Sequence, residues 1–240
     1  MDKQISVILT AWKRSSIEEQ LQRILSQTVA DSVDVYVWQN DSHIDITDLK
    51  KKYPFEHIHS SKNFKFHGRF ALPLLLNTEY TVILDDDTLP NSHWLDKCVR
   101  LCCEHECIVG GNGRVIHPQF HACGDMYEMS VDDPQKDTEV DYVGHCWFFK
   151  TDWVRAFWMQ RQPTFATGED ISFCAALKLA AGIRSVVSGK ENVNEIGDSN
   201  RHKYGTDVNS SYSDASTTIR RSLVIPYWRN LGWKFVSERT

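Results

Sequence analysis

Nowhere in these 240 residues is there an apolar run of the roughly 18 residues that a membrane-crossing helix requires. The N-terminus passes from Met1-Asp2-Lys3 straight into Ile5-Ser6-Val7-Ile8-Leu9, too short and too acidic in its flanks for a signal peptide. The chain is therefore expected to be soluble and cytoplasmic, with no membrane span. Positive charge is also short: 27 Lys and Arg face 32 Asp and Glu, a net charge of −5. That balance argues against a general nucleic-acid or membrane-surface binder. C-x-x-C pairs are absent although there are seven cysteines, and this odd count suits core packing in a reducing compartment. Neither G-x-G-x-x-G nor G-x-x-x-x-G-K-[ST] occurs, so two familiar phosphate-binding loops are ruled out. Repeats and low-complexity linkers are missing too. A chain of this length can hold one large α/β domain or two small ones.

What is present is an acidic triplet at the end of a strand. Thr81-Val82-Ile83-Leu84 is β-branched and aliphatic, and it runs directly into Asp85-Asp86-Asp87. Three adjacent like charges repel one another and gain nothing from an apolar core. They suit a divalent cation such as Mg²⁺ or Mn²⁺, which prefers carboxylate oxygen. The alternative is an acidic turn capping a helix that starts near Ser92.

Around this strand the pattern alternates. Strands are expected at residues 5–9, 33–38 and 56–59, and helices from Ser16 to about Gln27, at 46–52 and at 94–103. Ser16 with Glu19 reads as a capping box, and residues 70–76 read as helical. Cys98, Cys102 and Cys103 share helical spacing and are expected in the core. Such β-α-β-α order predicts an α/β fold, with a mostly parallel central sheet and helices on both faces. Farther on, Gly110-Gly111-Asn112-Gly113 reads as a β-turn. Residues 140–150, with Trp147, Phe148 and Phe149, read as a strand beside a pocket. Residues 169–180 form a helix stopped by Gly182, and residues 197–216 a Gly- and Ser-rich loop. His117, His121 and Cys123 could chelate zinc, but Pro118 disrupts the helix that would align the histidines.

Glu169-Asp170 is a second acidic pair, placed where a helix begins. Acids there are stabilised by the helix dipole, which is a sufficient structural reason for them. Beside a sugar's anomeric carbon, however, a carboxylate can act as a general base or stabilise positive charge.

Four short elements in order carry a resemblance: Thr10-Ala11-Trp12-Lys13-Arg14, Val37-Trp38-Gln39-Asn40-Asp41, Leu84-Asp85-Asp86-Asp87 and Gly168-Glu169-Asp170. Together the sequence resembles nucleotide-sugar glycosyltransferases of the GT-A fold, specifically the family-2 and the exostosin-like transferases. The resemblance implies a single domain over residues 1–240 with a Rossmann-like GT-A architecture. Residues up to about 110 would form the nucleotide-binding half, about 111–195 the acceptor and catalytic half, and 196–240 a C-terminal loop and tail. It places Thr10, Ala11, Arg14, Asn40, Asp41, Arg69, Asp85 and Asp86 at the nucleotide or donor, and Asp87 on the metal with His202 as a further ligand. It makes Asp170, with Glu169, the catalytic carboxylate, and puts Gly144, His145 and Trp147 on the acceptor side. The implied partners are a UDP-sugar donor and a glycan or glycoprotein acceptor, with Mn²⁺ or Mg²⁺ as cofactor. Family-2 members invert the anomeric centre and exostosin-like members retain it, and the residues do not choose. The Gln-x-x-Arg-Trp motif of processive synthases is absent.

Two other functions compete. A sugar-nucleotide nucleotidyltransferase would need a glycine-rich basic loop after the first strand, where Ala11-Trp12-Lys13-Arg14 stands. A non-catalytic carbohydrate-binding protein on the same fold would be expected to have lost one acidic cluster, and both are intact.

Overall fold

A computed structural model describes residues 3–117, 127–132, 134–199 and 219–239. The first strand, β1 (Ile5–Ala11), pairs in parallel with β2 (Val33–Asn40) on one side and with β4 (Tyr80–Leu84) on the other, while β3 (Glu56–Ser60) extends the sheet beyond β2. The connecting helices are α1 (Ile17–Leu25), α2 (Thr47–Lys52) and, after β4, α3 (Trp94–His105). From β1 the chain winds outward through β2 and β3 and returns to the other flank of β1 as β4. That reversal makes a switch point between β1 and β4, where a crevice opens at the carboxyl ends of the strands.

The second half completes a nine-stranded mixed sheet among the described residues. It contributes β5 (Cys107–His117), β6 (Tyr127–Asp132), β7 (Thr138–Val140), β8 (Tyr142–Lys150) and β9 (Arg184–Val187). The path runs β3-β2-β1-β4-β8-β5-β9-β7, with β6 paired to β5. Strand β8 lies antiparallel between β4 and β5. Alternation along β1 sets the two faces. Val7 and Leu9 pack with Ile17, Leu21 and Ile24 of α1 and Trp94, Leu95 and Cys98 of α3. Ile8 packs with the opposite layer, which holds Val154 and Phe157 of α4 (Val154–Met159) and Ile171 and Phe173 of α5 (Glu169–Ala181). Burial of apolar side chains on both faces of the sheet is the main term holding these layers together. No helix of the described residues is long and apolar enough to cross a membrane.

Several sequence expectations are corrected. The Gly110–Gly113 run lies inside β5 with a bulge between Gly110 and Asn112, and is not a turn. Its glycines answer to crowding, because a Cβ on Gly110 would sit 2.3 Å from Val143 Cβ and one on Gly113 2.8 Å from Val140 and Val187. Ser16 makes no side-chain cap, and its hydroxyl donates instead to the Asp86 carbonyl. Residues 70–76 form 3₁₀ turns, Gly68–Phe70 and Leu72–Leu75, with Pro73 at the start of the second. Cys98 and Cys102 are buried, but Cys103 is exposed. The stretch from residue 219, expected as tail, carries a π-helical turn (Arg220–Val224) and α6 (Ile225–Asn230). Val224, Ile225, Trp228, Trp233 and Phe235 there are all buried. His121 and Cys123 of the zinc alternative lie outside the described residues.

Candidate active site

The loops leaving β1 and β4 meet at the switch point, and α5 presents its first turn to them. Arg14 pairs with Asp86 and lies 3.4 Å from Asp87 Oδ2. Arg69, on the 3₁₀ turn Gly68–Phe70, pairs with Asp85 and reaches Glu169 Oε1 at 3.2 Å and Thr10 Oγ1 at 3.3 Å. Its guanidinium lies 4.8 Å from the centre of the Trp147 ring. Phe70, Phe149, Phe157 and Phe173 fill the aromatic layer around that indole. Arg69 is thus held from below by a ring and from both sides by carboxylates.

Five carboxylates, Asp85 to Asp87 with Glu169 and Asp170, meet three guanidinium groups, Arg14, Arg69 and Arg220. The remaining negative charge leaves room for a cation. Burial, reinforced by Asp85, pushes Asp87 up to about 6. Burial also raises Asp86 despite Arg14. Among the described residues, Asp86 Oδ2 and Asp87 Oδ1 are buried without a hydrogen-bond partner. Orphaned carboxylate oxygens are costly and fit a metal ion. No three His, Cys, Asp or Glu side chains of the described residues converge into a metal cage. This is the usual case for Mg²⁺, which takes one or two carboxylates and completes its shell with water and substrate phosphates.

Gly168, at φ +78°, turns the chain into α5, and Val224 packs where a side chain on it would stand. Burial and Asp170 push Glu169 up to about 7, against the pull of Arg69. Asp170 accepts from the Ile171 amide at 2.8 Å through Oδ1 and pairs with Arg220 through Oδ2. Arg220 was not among the residues expected from sequence. Its only signal there is a basic Arg220-Arg221 pair closing a Ser- and Thr-rich stretch.

The other expected residues are distributed around this centre. Asn40 braces the loop after β3, donating to Asn63 Oδ1 at 3.0 Å and Lys65 O at 3.1 Å and accepting from the Phe64 amide. Asp41 follows β2 at φ +80°. The Ala11 side chain is buried in the core against α1. Trp147 is buried too, donating to Val143 O at 3.0 Å, so it supports Arg69 from within and is not a surface platform. Gly144 stands against Asn112, while His145 lies beside the acidic triplet. His202 lies outside the described residues.

Residues 3–204 match the family described as glycosyltransferase like family 2. The chain belongs to that family. This family-2 chain is also similar in fold to S. aureus TarS, with a TM-score of 0.54 and 18% identity over 79% of this chain and 35% of that one. It resembles S. aureus TarS 1-349 in complex with UDP-GlcNAc at 0.55 and 15%, over 78% of this chain and 56% of that one. It also resembles the mannosyltransferase PcManGT from Pyrobaculum calidifontis in complex with GDP-Man and Mn²⁺, at 0.58 and 17%, over 85% of this chain and 59% of that one. The chain thus spans about a third to three fifths of the lengths of these structures. At such identities they show the GT-A fold alone. No curated protein sequence matches the chain.

Proposed function

We propose that this protein transfers a sugar from a nucleotide diphosphate donor, UDP-linked, to a hydroxyl of a glycan or glycoprotein. The observation that carries the reading is the acidic excess at the β1/β4 switch point, with Asp86 Oδ2 and Asp87 Oδ1 buried and without a hydrogen-bond partner among the described residues. Asp87 would hold Mn²⁺ or Mg²⁺ with Asp86 beside it, and when bound the ion supplies charge neutralisation for the diphosphate leaving group. Asp85 and Arg14 frame the donor from the strand ends, and Thr10, Asn40 and Asp41 line the direction in which the nucleoside extends. Asp170 acts as the carboxylate that takes the acceptor proton, with its second oxygen steadied by Arg220. Glu169 is spent on Arg69 and so positions Asp170 from the adjoining residue. Family membership and the nucleotide-sugar complexes of the TarS and PcManGT folds support this reading.

Calorimetric titration with UDP, UDP-sugars and GDP-mannose, with and without Mn²⁺, tests it. Metal-dependent binding that disappears in Asp87→Ala is expected. Failure to bind any nucleotide in either condition would discard the transferase and favour a carbohydrate-binding scaffold.

A further inference from the structure

The geometry points to His145 as a second protein ligand of the divalent ion, oriented by Asp198. This rests on the donor site proposed above. The register Leu84↔Cys146 between β4 and β8 brings His145 opposite Asp85, two residues from Asp87. The backbone confirms the closeness: the Asp85 amide and the Thr88 hydroxyl both donate to the His145 carbonyl at 2.8 Å. His145 holds φ +64°, a left-handed conformation uncommon outside glycine.

Its imidazole is fixed from behind. Nδ1 donates to Asp198 Oδ2 at 2.9 Å, and the Asp198 side chain is only 3% exposed. Asp198 is itself pinned over the end of β4, where the Leu89 amide donates to it at 3.4 Å and Ser199 donates twice to the Leu89 carbonyl. No hydrogen bond from Nε2 is found among the described residues. A carboxylate that accepts a hydrogen bond from Nδ1–H selects the tautomer with its lone pair on Nε2, the arrangement by which histidine ligands are usually presented to metals. The same corner holds Asp87 Oδ1, which is buried without a hydrogen-bond partner among the described residues. One imidazole nitrogen and one Asp87 oxygen supply two positions of a coordination shell, and diphosphate oxygens and water would fill the rest.

The competing role is structural: Asp198 and His145 would only tie residues 188–199 to the sheet. Nitrogen coupling in the electron spin echo of Mn²⁺ separates the two. The full chain with Mn²⁺ and UDP is expected to show coupling to a directly bound imidazole nitrogen. His145→Asn, chosen because Asn tolerates positive φ, is expected to lose that coupling while retaining the wild-type melting temperature without metal. Asp198→Asn is expected to keep the coupling and weaken Mn²⁺ binding roughly 10–100-fold. Mn²⁺·UDP bound to the wild type without nitrogen coupling would overturn the assignment alone, as would coupling that persists in His145→Asn. A wild type that binds neither UDP nor Mn²⁺ would overturn the donor site together with it.

Discussion

Arg69 and Glu169 lie 3.2 Å apart across one hundred residues of sequence, and the same guanidinium pairs with Asp85. One buried cation therefore joins the acidic triplet to the acidic pair at the start of α5. A buried arginine between two carboxylates is stable only as a set, because removing it strands both partners. Arg69→Met is expected to destabilise the fold by about 3–5 kcal/mol, measured by urea unfolding. Arg69→Lys should recover only part of this, since an ammonium cannot span two carboxylates as a planar fork does. Unfolding midpoints equal to wild type in both variants would show that the strut is dispensable.

The roles of the two neighbouring acids are separable. Asp170→Asn keeps the size of the side chain and removes the proton acceptor. It is expected to bind UDP as wild type does and to lose turnover by about 10²–10⁴-fold. Glu169→Gln leaves Arg69 with one carboxylate, so its loss should appear in stability as well as in turnover. If Asp170→Asn retained wild-type kcat with any donor, the catalytic carboxylate would have to be sought elsewhere.

The first half of the fold was legible because its signals are local. Strands announced themselves by aliphatic runs, and the residues that meet at the site stand at the ends of those strands. The pairing of Asp170 with Arg220 and of His145 with Asp198 was not legible, because 50 and 53 residues separate the partners and no periodicity links them. The stretch from residue 219 reads as tail because the loop composition before it gives no helix signal. Yet Trp228 donates to Ser172 Oγ at 3.0 Å and closes the core over α5.

The glycine run in β5 reads as a turn for a related reason. Gly and Asn mark turns by local preference, but here the need is set by β8, whose Val143 occupies the space above Gly110. Gly110→Ala is expected to destabilise by about 1–3 kcal/mol through overpacking. Gly182, at φ +69° with nothing within 4 Å, meets no such crowding, so Gly182→Ala costs only the backbone strain of its conformation. Thermal melts of the two variants should rank Gly110→Ala as the less stable, and the reverse order would reject the packing account.

Asp141 gives a prediction in pH. Its side chain is buried and accepts from the Ile116 amide through Oδ2 at 2.6 Å and from the Val236 amide through Oδ1 at 2.7 Å, fastening the C-terminal segment to β5. Burial outweighs both hydrogen bonds and pushes its pKa up to about 6, from an ordinary value of 3.8. The folded state therefore keeps the proton to higher pH than the unfolded chain does. The stabilisation from this protonation is fully present below about pH 4 and falls away as pH rises to about 6. Above that it is flat, and its full span is about 3 kcal/mol. Asp141→Asn cannot titrate, so its stability, measured by urea unfolding at each pH, serves as the reference for this one group. The difference between wild type and variant should move against the wild type between pH 4 and 6. A difference that stayed constant across that window would mean that Asp141 ionises in the fold as readily as in the unfolded chain, with its two amide donors offsetting the whole cost of burial.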